Sequence, residues 1–247
     1  MTQLEPLIFS QVWVAVAVGM IVICGAIVQA GLGMGFGLTV APTLALLDPA
    51  LVPGTTLYLG LFTAVLGVVR EPRAVVWKEI KVGALGRFIG VCIGALILMQ
   101  LTDLKTFSLV FGIVVGVAVL MTAIGWHLAF NTGNLLSMSA ISGIMGIITS
   151  VGAPPMALIY SQRPAQEARP TLAAFFAVGC ALSILGLIIM GWSSWRDLWL
   201  AGLMVPGVLL GTAIARRFQD RFDKRYKPAL LGVAGTACLL LIARGLS

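Results

Sequence analysis

Charge is scarce in this sequence. Of its 247 residues only 10% are Asp, Glu, Lys or Arg; nine are acidic, and there is a single histidine. Soluble domains carry charge on roughly a quarter of their residues, and a water-facing surface of this size could not be covered with so little. The shortage excludes a soluble globular domain. A 60% hydrophobic share with a mean hydropathy of +1.06 excludes a disordered chain. The four cysteines (Cys24, Cys92, Cys180, Cys238) fall singly on different segments, too few for a disulfide scaffold and without metal-type spacing. They read as small packing residues. Zincin motifs, paired catalytic carboxylates and a Ser-His-Asp set at membrane depth are missing, which argues against an enzyme. Nothing in the sequence calls for a cofactor or a metal.

What the chain has is long apolar runs. Segments near the bilayer-crossing length of about 20 residues recur near 10–30, 52–70, 81–101, 104–125, 134–150, 171–191, 197–215 and 228–245. Two shorter pieces, at 33–47 and 153–161, follow breaks rich in Gly or Pro and read as half-helices. None alternates apolar with polar residues, as barrel strands do. The first run has Glu5 ahead of it, no basic flank and no small-residue cleavage site, so it is expected to be a retained helix and not a signal peptide.

The positive charges orient these segments. Arg70, Arg73, Lys78 and Lys81, then Arg163 and Arg169, then Arg216, Arg217, Arg221, Lys224, Arg225 and Lys227 all lie in odd-numbered connections, on one side. These are twelve of the sixteen basic residues. The positive-inside rule makes that side cytoplasmic and both termini non-cytoplasmic, in a multi-pass protein of the cell inner membrane. Lys105, Arg196 and Arg244 fall opposite, and Arg87 sits inside a segment. All six Trp residues lie near segment ends, as an interfacial belt requires. The net charge of +7 therefore marks a membrane face and not a nucleic-acid partner. The expected partners are lipids and a small solute, with monomer and homodimer both open.

The two halves resemble each other at an offset of about 115–120 residues. Pro49-Ala50 with Thr56-Leu57 aligns with Pro164-Ala165 and Thr171-Leu172, and Gly90 and Gly94 align with Gly207 and Gly211. Each half holds five apolar segments, an odd number, so the second enters the membrane from the opposite face. The expected fold is an all-α integral membrane protein of two inverted five-segment repeats, residues 1–125 and 126–247, with broken-helix hairpins. Glycines at four-residue intervals, as in Gly86-Gly90-Gly94, read as helix-packing positions.

The breaks carry the functional signal. Gln29 to Gly37 holds Gly31, Gly33, Gly35 and Gly37 at alternate positions, and each glycine disfavours helix by roughly 1 kcal/mol relative to Ala. Thr149 to Pro155 ends in Pro154-Pro155, which suits the first turn of a new helix. Unwound backbone at membrane depth is tolerated where it is packed in protein or lines a wet cavity. Two such breaks in matching positions point to a transporter binding site. New helices starting near 36–38 and 153–156 would aim their positive ends into the breaks and favour an anion. The candidate substrate-binding residues are Gln29, Gly33, Met34, Gly35, Gly37, Thr39, Thr55, Thr56, Thr149, Ser150, Gly152, Pro154, Pro155 and Thr171.

Several stretches resemble the TauE/SafE family of sulfite exporters, also called the 4-toluene sulfonate uptake permeases. They are Gly33-Met34-Gly35-Phe36-Gly37 with Val40-Ala41-Pro42, Val52-Pro53-Gly54-Thr55-Thr56-Leu57, Gly143 to Gly152 with Pro154-Pro155, and Glu167-Ala168-Arg169-Pro170-Thr171-Leu172 leading to Phe175-Phe176. The resemblance covers nearly the whole chain and implies duplicated halves and a sulfur-containing anionic substrate such as sulfite or an organosulfonate. The chain departs from the family pattern at Ser150-Val151-Gly152-Ala153, where a Gly-rich turn is usual, and at Met34 and Phe36, where smaller residues are common.

Four charged residues are candidates for gating or anion recruitment. Arg87, about six residues inside the fourth segment, either snorkels to the surface or faces a cavity. Arg169 stands beside the second hairpin. Asp48 and Glu167 close the two short helices, where they gate, cap helices or pair with cations such as Arg169. No Asp or Glu stands mid-segment, so a proton-coupling carboxylate is not evident. The function expected is a secondary transporter moving sulfite or an organosulfonate by alternating access. An anion channel of similar selectivity, or a transporter for another small anion, is the alternative.

Overall fold

The structure is a computed structural model that describes residues 12–101, 103–217 and 226–246. The cationic stretch with Arg221, Lys224 and Arg225, and Glu5 near the start, lie outside the described residues, as does the N-terminal end itself. Among the described residues the chain is all α, without strands. In order the helices are α1 (Val12–Leu32), α2 (Phe36–Leu47), α3 (Gly54–Arg70), α4 (Trp77–Met99), α5 (Leu104–Ile124), α6 (Thr132–Thr149), α7 (Ala153–Tyr160), α8 (Ala165–Ile189), α9 (Trp195–Arg217) and α10 (Tyr226–Leu246). Single 3-10 turns over Pro49–Leu51 and Pro72–Ala74 lead into α3 and α4. Six helices (α1, α4, α5, α6, α8 and α9) are long and apolar enough to cross a membrane; α2 and α3 are shorter apolar helices.

Two boundaries differ from the sequence expectation, and each has a local cause. Helix α4 starts at Trp77, not near 81, with Glu79 in its first turn, where a carboxylate favours the positive helix end. Helix α8 starts at Ala165, six residues earlier than expected, and runs through Pro170. The proline removes one backbone donor, and the carbonyl it orphans belongs to the exposed Gln166 turn, which water can reach.

The packing is reciprocal. Helix α4 lies along α6 and α9 along α1; α4 also meets α8, and α9 meets α3; α3 faces α8, and α5 faces α10. Small residues make the α4–α6 approach possible. Gly90 abuts the Ala140 carbonyl, Gly86 the Leu136 carbonyl, and Gly143 the Arg87 carbonyl. On the other pair, Gly211 abuts the carbonyl of Ile23. Large apolar side chains such as Leu85, Phe88, Leu96, Ile113, Leu120 and Leu203 remain exposed around the outside, a surface suited to lipid. Trp13, Trp77, Trp126, Trp195 and Trp199 are exposed near helix ends. Trp192 departs from the belt: it is partly buried and packs on Phe107, with ring centroids 6.0 Å apart.

Candidate functional site

Both breaks form where the backbone chemistry demands them. Helix α1 ends at Gly33, whose φ of 76° lies in the left-handed region, and its N–H closes on the Gln29 carbonyl at 2.8 Å, a glycine-terminated helix end. Gly35, at φ 106°, then begins α2. Helix α6 ends at Ser150, which adopts φ 63° without being glycine, a conformation that costs an L-residue roughly 1–2 kcal/mol. Its hydroxyl donates to the Pro53 carbonyl at 3.0 Å, tying the second break to the start of α3. Such over-determined strain concentrates at functional sites.

The chain folds back at each break, and the two turns meet. On the first hairpin, α2 returns along α1 so that Val40 and Phe36 cover Gly25. Gly37 of α2 lies against the Ser150 carbonyl with no room for a Cβ. Between the turns is a cavity of about 30 Å³ lined by Gln29, Gly35, Phe36, Gly37, Ser150, Gly152 and Ala153, with Thr56, Leu57 and Gly60 from α3 and Phe176 and Cys180 from α8. That volume holds one or two water-sized groups.

The predicted site residues separate into three groups. Gln29, Gly35, Gly37, Thr56, Ser150 and Gly152 line the cavity. Others shape the breaks themselves. Gln29 Oε1 accepts from the Phe36 N–H at 3.1 Å, so this side chain caps α2 as well. The Thr39 hydroxyl donates to the Gly35 carbonyl, and that of Thr149 donates to Met145 O while accepting from Val151 N. Gly33 is covered by Arg169, whose Cγ would lie 2.7 Å from an added Cβ. Pro155 is buried within α7. Thr55 and Thr171 lie outside the small cavity: Thr55 donates to Asp197 at 3.2 Å, and Thr171 accepts from the Val76 N–H at 3.1 Å. The two hydroxyls fasten the first turn of α3 and the second turn of α8 to a neighbouring helix start.

A larger cavity of about 250 Å³ opens beside the breaks, between α5 and α7. Met34, Leu38, Pro154, Met121 and Trp126 give it an apolar wall, and Arg163, Arg169 and His127 lie on it. Gly35 and Ala153 line both cavities, so the two adjoin at the breaks. Arg163 pairs with Glu79 at 2.7 Å and stacks over Phe130, 3.8 Å from the ring centre, while the Tyr160 hydroxyl also donates to Glu79.

The charged candidates separate clearly. Asp48 is buried and accepts from the Ala50 N–H at 3.1 Å, capping the Pro49 turn. Glu167 is exposed in the first turn of α8. Arg87 does not snorkel. It stands ten residues into α4, about 15 Å along the helix at 1.5 Å per residue, and is 2% exposed. Its Nη1 donates to the Ser142 carbonyl at 2.7 Å and to the Ser142 hydroxyl at 2.5 Å; that hydroxyl in turn donates to the Gly152 carbonyl at 2.6 Å.

Sequence reasoning missed Ser142, Phe176, Cys180 and Asp197. Asp197 is buried, accepting from Thr55, from Ser193 Oγ at 3.1 Å and from Ser194 N at 2.9 Å. A signal for it was present: Trp77-Lys78-Glu79 at the start of α4 recurs as Trp195-Arg196-Asp197 at the start of α9. Each carboxylate accepts hydrogen bonds near the start of the third helix of the opposite half.

Residues 17–241 match the family described as Sulfite exporter TauE/SafE. No curated protein and no solved structure matches the chain.

Proposed function

Since the chain belongs to the TauE/SafE sulfite exporter family of membrane transporters, we propose that it carries a small sulfur-containing anion, sulfite or an organosulfonate, through the junction of its two breaks. The observation that supports this reading is the contact between Gly37 and Ser150 around a cavity lined by both turns. The N–H groups of Gly37 and Leu38 belong to the first turn of α2, beyond the Phe36 N–H that Gln29 takes. They supply donors of the kind that bind oxyanions. Ser150 and Thr56 also line the cavity, but their hydroxyl protons go to the Pro53 and Leu51 carbonyls, so backbone N–H groups are the donors an anion meets there.

The reading includes two inverted repeats, α1–α5 and α6–α10, in the inner membrane with both termini outside. Reciprocal packing supports it: α4 on α6 is matched by α9 on α1, and α5 on α7 by α10 on α2. With the orientation expected from the basic connections, the wide cavity between α5 and α7 is read as the inward-facing entrance, with Arg163, paired to Glu79, and Arg169 on its wall. Among the described residues the counterpart pair, α2 and α10, packs directly, with Leu44, Ala45 and Leu241 buried in one core. Alternating access exchanges the two sides.

Purified protein in liposomes tests this. Sulfite flux that saturates and is accelerated by sulfite on the opposite side is the expected result. Unsaturating current with no counterflow would replace the carrier with a channel, and no movement of sulfite or organosulfonates would refute the cargo.

A further inference from the structure

We propose that Arg87 is the fixed counter-charge of the anion site, a positioning residue behind the second break whose uncompensated charge is matched by one negative charge of the cargo. The inference deepens the transport reading above and rests on it.

The second break is poor in donors. Pro154 and Pro155 stand at the start of α7 and have no N–H, so this hairpin offers an anion less than α2 does. Arg87 stands where the deficit lies. A Cβ added to Gly152, which lines the cavity, would lie 2.5 Å from Arg87 Nη1, and one added to Gly179 would lie 2.7 Å from Nε. Gly146 closes the third side of the guanidinium. Three glycines on α6, α8 and the break thus form a cleft that only a flat, deeply inserted group fills. The Phe175 ring, 5.7 Å from the guanidinium carbon, adds an aromatic face.

The charge is not balanced among the described residues. Arg87 hydrogen-bonds only neutral oxygens of Ser142, and its Nε has no partner. Among the described residues no carboxylate pairs with it. A buried cation at membrane depth is strongly unfavourable unless an opposite charge compensates it. An anion in the adjoining cavity supplies that charge across the wall formed by Gly152 and Cys180. The Ser142 hydroxyl, held between Nη1 and the Gly152 carbonyl, passes the orientation of the arginine to the break. Charge balance also selects among ligands: a singly charged anion neutralises the site, and an uncharged analogue of equal size leaves Arg87 uncompensated.

The test measures sulfite-induced thermal stabilisation of the detergent-solubilised full chain for wild type, R87Q and R87K. With a unit charge one residue from the ligand at an effective dielectric near 20, R87Q should bind sulfite at least about thirtyfold more weakly, about 2 kcal/mol at 1.4 kcal/mol per decade. Its ligand-free stability should equal or exceed that of wild type, because a buried uncompensated charge has gone. R87K keeps the charge without the planar fork and should retain part of the sulfite shift. An R87Q protein stabilised by sulfite as strongly as wild type would overturn the proposal while leaving the transport reading intact. A wild type that sulfite does not stabilise would overturn that reading and this one with it. If R87Q does not fold, R87K decides: a retained but weaker shift supports the charge role, and complete loss of the shift contradicts it.

Discussion

Replacing Gly37 with Ala perturbs the junction of the breaks with a single methyl group. The added Cβ would fall on the carbonyl oxygen of Ser150, with the carbonyl carbon 2.9 Å away and the Val151 Cα at 3.3 Å. All three are backbone atoms, so no rotamer change relieves the overlap. Restoring a C···O separation of about 3.3 Å requires the hairpins to part by roughly 1 Å or more. Overpacking of this kind destabilises by about 1–3 kcal/mol. Alanine recovers up to about 1 kcal/mol of helix propensity at the same position. The net loss of about 0–3 kcal/mol leaves the protein folded. Transport should suffer far more, because an error of about 1 Å in the placement of binding groups can reduce a rate about a hundredfold. The assay is sulfite flux in liposomes at matched protein content, expected to fall at least about tenfold. Gly202→Ala is the control: nothing lies within 4 Å of the added methyl on α9, so flux should not change. Wild-type flux from Gly37→Ala would refute the claim that contact between the breaks forms the site.

Gln29 and Asp197 give two further predictions. Gln29→Leu leaves the Phe36 N–H without its 3.1 Å acceptor and should destabilise by about 1–3 kcal/mol, read as earlier thermal unfolding in detergent. Gln29→Glu keeps that acceptor but loses the Nε2–H donated to the Gly33 carbonyl at 3.4 Å, so it should be destabilised as well, and its negative charge on the cavity should depress sulfite flux in the folded fraction. Asp197→Ala removes the acceptor of Thr55, Ser193 and Ser194 and should destabilise by about 2–4 kcal/mol. Chemical denaturation would detect the loss, with little change in sulfite affinity for the fraction still folded.

The breaks were legible in the sequence because their causes are local. Alternating glycines and a Pro-Pro pair interrupt a helix whatever surrounds them, and α1 and α6 end within two residues of the expected places. Helix count and the short α2 and α7 followed from run length. Arg87 was not legible in the same way. Its burial depends on Gly146, Gly152 and Gly179, which reach it only after α6 and α8 pack on α4. The four-residue earlier start of α4 also placed it deeper than the apolar run implied. Thr55 and Thr171 were recognisable as hydroxyls within the stretches that carry the family resemblance, but their partners, Asp197 and the Val76 N–H, come from distant stretches of chain. The repeated Trp-Lys-Glu and Trp-Arg-Asp triplets held that information, since both acids begin helices that fasten to the opposite half.

The central claim is that the anion sits where the breaks meet, and locating a heavy-atom analogue tests it most directly. Selenite has the shape and charge of sulfite and contains a strong anomalous scatterer. Crystals grown with selenite should show one anomalous peak between Gly35–Gly37 and Ser150–Gly152, beside Thr56 and in front of Arg87. A selenite-transporting protein whose peak lies elsewhere, with the cavity between the breaks empty, would contradict the account.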